Sequence, residues 1–68
     1  MQDNVYKSVE ITGTSTSGVT EAIDAAIAKA SQSLRNLDWF QVIETRGHIE
    51  DGKVAHYQVT LKIGFRLE

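Results

Sequence analysis

The dipeptide Asp51-Gly52 constrains this chain more than any other feature. It lies between two long runs that read as strands, Asp38 to Glu50 and Lys53 to Leu67. Asp-Gly favours a two-residue type I′ turn, whose twist matches that of the strands it joins. Such a turn fixes the register: Glu50 meets Lys53 and Phe40 meets Ile63. Phe40 and Val42 then share a face with Tyr57, Val59, Leu61, Ile63, Phe65 and Leu67. A slip of one residue would set Phe40 beside Lys62 and mix the faces, so the first register is favoured. The opposite face carries Trp39, Gln41, Ile43, Thr45 and Gly47 on one strand, and His56, Gln58, Thr60, Lys62, Gly64 and Arg66 on the other. The only tryptophan of the chain therefore points away from its own core.

Upstream, residues 5–12 alternate with Val5, Val9 and Ile11 on one side, a pattern that predicts a first strand with Lys7 as a charged exception. Gly13-Thr14-Ser15-Thr16-Ser17-Gly18 breaks the alternation and offers Ser15 or Ser17 as a helix N-cap. From Val19 the period changes. Val19, Ala22, Ile23, Ala26, Ile27, Ala30 and Leu34 draw one apolar stripe on a helix ending near Asn36, a residue type that tolerates the left-handed conformation. Glu21 and Asp24 sit early and Lys29 and Arg35 late, which suits the helix dipole. The order predicts an α+β fold, a β-α-β-β subunit with a three-stranded antiparallel sheet packed on one helix. Residues 1–68 are expected to form a single domain.

A domain of 68 residues leaves a marginal core. The chain has no cysteine, which excludes disulfides and thiolate metal sites, and its two histidines are too few for a dedicated zinc site. Lengths make the deficit concrete. A helix of about 17 residues spans roughly 25 Å, whereas a strand of about 12 spans roughly 40 Å. One helix leaves part of such a sheet bare, so self-association is expected. The net charge of −2, from seven basic and nine acidic residues, argues against a nucleic-acid partner. No segment is apolar enough for a membrane span, and the polar start Met1-Gln2-Asp3-Asn4 carries no signal-peptide pattern, so a cytoplasmic location is expected.

Trp39 with Gln58 is the sharpest candidate pair. An indole plane stacks and a carboxamide both donates and accepts, which together suit a flat heterocycle with an imide-like edge, such as the pyrimidine side of a flavin. On chemistry alone, a tryptophan buried in a subunit contact is the commoner outcome. Arg46, Lys62 and Arg66 have the charge to hold phosphate, but no glycine-rich cradle accompanies them and ordinary surface charge explains them equally. His48, His56, Glu44 and Glu50 form no recognisable acid–base set. A binding protein rather than an enzyme is expected.

Leu37-Asp38-Trp39-Phe40-Gln41-Val42, Arg46-Gly47-His48, and the block from His56 to Leu67, following Gly13-Thr14-Ser15 and an alanine-rich helix, strongly resemble the dodecins, small flavin-binding proteins, in their bacterial branch. The resemblance covers about residues 5–68. It implies a hollow homododecamer that binds flavins in pairs at two-fold contacts, between symmetry-related tryptophans. Trp39 would stack, Gln58 would hydrogen-bond the pyrimidine edge, and Arg46 would also contact the flavin, with FMN the usual ligand and FAD or riboflavin as alternatives. Coenzyme A near three-fold contacts, held by residues like Lys62 or Arg66, is a further implication. The hairpin register places Arg46 on the helix-facing side, so the resemblance requires a bulge near Gly47 or an approach round the uncovered end of the sheet. The implied role is flavin storage with quenching of its photochemistry. The rival expectation is an interaction module whose Trp39 face only joins subunits, and a small flavoenzyme is a third.

Overall fold

The computed structural model describes residues 3–68. Its elements run β1 (Tyr6–Ser15), α1 (Val19–Ala30), β2 (Leu37–Glu50) and β3 (Lys53–Arg66). The strands form one antiparallel sheet in the order β1-β3-β2, so the C-terminal strand is central and the β-α-β-β expectation holds. Asp51 and Gly52 both take positive φ, 53° and 72°, as the type I′ turn requires. Glu50 pairs with Lys53 and Phe40 with Ile63, in the register that the turn predicts.

The turn end and the stretch from Trp39 to Val42 agree with that register, but the middle and the terminal residue Leu37 do not. Extra residues in β2 at Ile43 and in β3 at Ala55 interrupt the ladder, and a third, Asp38 in β2, sets Leu37 opposite Phe65 at its terminal end. The bulges at Ile43 and Ala55 each shift the pairing by one, and their shifts cancel, so that Trp39 to Val42 and the residues beside the turn keep the predicted register. In the segment between these two bulges, Thr45 pairs with Val59 and Gly47 with Tyr57, which puts Thr45 and Gly47 on the helix side. Glu44, Arg46 and His48 lie on the opposite face, across from Thr60, Gln58 and His56. The straight ladder placed these residues the other way round.

The core is small and forms between α1 and the central strand. Ala22, Ala26 and Ala30 meet Val59, Leu61 and Ile63, all buried, with Val9, Ile11, Ile23 and Ile27 packed round them. Alanine on the helix face brings the helix close to the sheet, and Gly13 completes the fit: a Cβ there would lie 2.9 Å from the Ala26 Cβ and collide with the Ala22 carbonyl oxygen. The first strand therefore continues through Gly13 to Ser15 instead of stopping at Thr12.

Helix ends differ from expectation. Gly18, not Ser15 or Ser17, is the N-cap, and it supplies no side-chain bond. Ser15 Oγ instead accepts a hydrogen bond from the Ser17 backbone N–H at 2.9 Å, which shapes the turn before the helix. The helix stops at Ala30, where Gln32 and Ser33 donate to Lys29 and Ala30 in tighter turns. Leu34 still packs on the core, so the apolar stripe outlasts the helix. Asn36 has φ 63°, left-handed as expected, but it lies just before β2 instead of ending the helix.

A 12-residue helix is about 18 Å long and 14-residue strands about 46 Å. The subunit is accordingly elongated, 55 × 20 × 14 Å. The helix packs chiefly on β1 and β3, and only Leu37 of β2 joins the core, so Phe40 and Val42 on the helix side of β2 are exposed; Trp39 on the far face, Ile43 and Ile49 are exposed as well.

Candidate functional site

On the face away from the helix, the side chains lie in rows across the sheet. Ser8, Gly64 and Trp39 form one row, Glu10, Lys62 and Gln41 the next, and Thr12, Thr60 and Glu44 a third, in which the two threonine hydroxyls are 3.1 Å apart. Thr14, Gln58 and Arg46 form a fourth row, and His56 and His48 follow, their rings stacked with centroids 5.4 Å apart.

Trp39 and Gln58 share this face, as the alternation predicts, but they are not neighbours. Trp39 is level with Gly64, six residues from Gln58 along β3 and hence about 20 Å away. A single three-ring heterocycle does not reach both within one chain. Arg46, by contrast, sits directly across from Gln58. Its guanidinium is 3.6 Å from the Glu44 carboxylate, with both side chains more than half exposed. The conflict over Arg46 is thus resolved by the bulges at Ile43 and Ala55, the latter on the strand opposite the Gly47 region where one was expected.

The Trp39 indole lies over Gly64. A Cβ at Gly64 would overlap Cε2 and Cζ2 of the ring and sit 2.5 Å from Nε1. One side of the indole rests on the β3 backbone, and the side chain remains 41% exposed. The sequence held a sign of this contact, since a glycine inside a strand marks a close approach and the register sets Gly64 opposite Trp39. Thr14 carries no such sign, because the apolar alternation ends at Thr12; the strand's continuation brings it level with Gln58. Beside Trp39, Asp38 acts on Tyr6: hydrogen bonding to the Asp38 carboxylate, reinforced by its charge, raises the phenol above its ordinary pKa of 10.0.

Lys62 lies between the Trp39 and Gln58 ends of the face, and Arg66 lies opposite Tyr6 at the terminal end. Among the described residues no three His, Cys, Asp or Glu side chains gather round a metal position, and no helix is long and apolar enough to cross a membrane.

A short helix, an over-long sheet and an open indole platform define a class, the small α+β subunit that leaves an aromatic surface exposed on a bare sheet. The family model for Dodecin matches residues 5–68, and this chain belongs to the dodecin family. A dodecin of Thermus thermophilus is 56% identical over 64 residues, covering 94% of this chain and 93% of its own. The dodecin structure from Streptomyces coelicolor superposes with a TM-score of 0.93 at 56% identity, covering 100% of this chain and 97% of that one. The dodecin from Streptomyces davaonensis gives 0.93 at 52% identity, with 98% of each chain covered.

Proposed function

We propose that this chain sequesters a flavin, FMN in the first instance, by stacking its planar ring on Trp39 and hydrogen-bonding its polar edge through Gln58 and Arg46. The observation that carries the reading is the Trp39 indole laid over Gly64 with its outer side open. Gln58 offers a carboxamide that both donates and accepts, matching an imide edge, and Arg46 beside it offers a planar fork of donors. The distance between Trp39 and Gln58 along the sheet makes the site a shared one: the indole of one copy and the Gln58–Arg46 row of a second copy close on the same ring.

That sharing accounts for the exposed indole of Trp39, which the copy that completes the site covers; Phe40 and Val42, on the helix side of β2, are left to other contacts of the assembly. The assembly that fits is the hollow homododecamer of the family, with flavins at its two-fold contacts. The chain has no acid–base set and acts as a store, not an enzyme, in the cytoplasm. An indole in van der Waals contact donates an electron to the excited ring and takes it back, which quenches fluorescence and photochemistry and leaves both rings unchanged. FAD and riboflavin share the ring and fit the same stack. Coenzyme A at three-fold contacts, against Lys62 or Arg66, is a subsidiary part of the proposal.

The test is a fluorescence titration of FMN and riboflavin into protein stripped of ligand, with light scattering for mass. Quenching of both flavin and Trp39 emission in a roughly twelve-fold assembly is the expected result, lost when Trp39 is changed to Ala. An intact assembly that quenches nothing would leave a shell whose Trp39 face only joins subunits.

A further inference from the structure

We propose that Gly64 is the positioning residue for Trp39: its missing side chain lets the indole lie flat on the sheet, and this sets the spacing of the slot into which a planar ring stacks. The inference rests on the flavin reading above and adds a residue that the reading does not contain.

The glycine is not required by its backbone. Its φ lies outside the left-handed region, so an L-residue adopts the same conformation without strain. Gly64 is buried in the central strand, where a side chain would ordinarily add packing and its absence weakens the strand. Every other residue of β3 from His56 to Arg66 carries a side chain. What the glycine supplies is space. Three atoms of the indole, Cε2, Cζ2 and Nε1, occupy the volume of the missing Cβ. These atoms belong to a rigid fused ring, so the clash cannot be relieved by bending a flexible chain end. The β3 backbone blocks movement inward, and Ser8 on β1 flanks the glycine on its other side. The ring can only turn outward about its own torsions, into the space where a ligand ring must lie.

The experiment compares wild type, Gly64→Ala, Trp39→Phe and the double variant, each stripped of ligand and titrated with FMN. The expected Gly64→Ala protein keeps the wild-type mass in light scattering and shows an altered near-ultraviolet circular dichroism band, which reports Trp39 because the chain has no other tryptophan. Its FMN affinity falls about tenfold, the loss of a well-formed aromatic stack. In the Trp39→Phe background, where the fused ring is gone, Gly64→Ala costs little further affinity. Wild-type affinity in Gly64→Ala, or an equal loss in both backgrounds, overturns the inference. Should Gly64→Ala fail to assemble, recovery of assembly in the double variant upholds it and continued failure overturns it. A wild-type protein that binds no FMN would sink the flavin reading separately. The dichroism comparison would then still decide, with an unchanged Trp39 band overturning the role of Gly64.

Discussion

Arg46 faces Gln58 across the β2–β3 ladder, and it does so only because Ile43 and Ala55 are each one residue too many. A straight hairpin from the same turn would turn the guanidinium toward the helix. The two bulges flip the enclosed segment while leaving Phe40 opposite Ile63 and Glu50 opposite Lys53. The polar row is therefore set by irregularities, and the apolar face by regularity. Bulges that re-aim one side chain at the cost of local pairing are a recurrent device beside binding sites.

Arg46→Ala should weaken FMN binding by roughly ten- to a hundredfold, the range of a hydrogen bond to a charged donor. Arg46→Lys should recover only part of this, because an ammonium does not reproduce the planar fork. Folding stability should hardly move, since the Glu44 contact at 3.6 Å is exposed on both sides. Fluorescence titration at fixed salt reads the affinity and urea unfolding the stability. Full binding by Arg46→Ala would remove the residue from the site.

The parts of this fold legible in the sequence are those with a local chemical cause. Asp51-Gly52 announces its turn and, through it, the pairing beside the turn and from Trp39 to Val42. The alanine stripe announces which helix face is buried. The bulges have no such mark: Ile43 and Ala55 are ordinary strand residues, so alternation alone puts Thr45, Gly47 and Arg46 on the wrong face. The apolar period overstates the helix length because Leu34 continues it after the hydrogen bonding has changed. Period 2 also reports a face and not a distance. It put Trp39 and Gln58 on one side and was silent about the six residues that separate their rows.

Gly13→Ala should destabilise the subunit by about 1 to 3 kcal/mol, the usual cost of overpacking a tight contact. The added Cβ would lie 2.9 Å from the Ala26 Cβ and inside the envelope of the Ala22 carbonyl oxygen, and neither neighbour is a flexible chain end. The helix must lift from β1, loosening Val59 and Leu61 beneath it. Urea unfolding at matched protein concentration measures the loss, the matching being necessary for an assembling protein. Wild-type stability would mean that helix and strand separate more freely than their packing implies.

Tyr6 should make a small, pH-dependent contribution to stability that fades at alkaline pH. Its phenol is raised above 10.0 by hydrogen bonding to the Asp38 carboxylate and by that carboxylate's charge. A group whose folded pKa is raised binds its proton more tightly in the native state. Its contribution is thus complete below pH 10.0, the unfolded value, and is lost as pH rises through the folded one. Tyr6→Phe and Asp38→Asn should both flatten stability above pH 10.0. In a titration followed by phenolate absorbance, the late-ionising tyrosine should be missing from Tyr6→Phe. A wild-type profile in both variants would show that the pair does not act on folding.

Gly52→Ala isolates the turn from everything else. No atom lies within 4 Å of the position a Cβ would take, so packing contributes nothing, while φ is +72°. The expected cost is therefore conformational alone, about 1 kcal/mol for an L-residue in the left-handed region. Asp51 has φ 53°, a value that asparagine adopts readily and a β-branched residue does not. Asp51→Asn should be neutral and Asp51→Val should cost more than Gly52→Ala. FMN affinity should be unchanged in all three variants, because the hairpin register is held independently by Phe40 against Ile63 and Val42 against Leu61. Urea midpoints at one protein concentration give the order of the three. A fall in FMN binding with the turn weakened would mean that the turn, and not the apolar face, keeps Arg46 opposite Gln58.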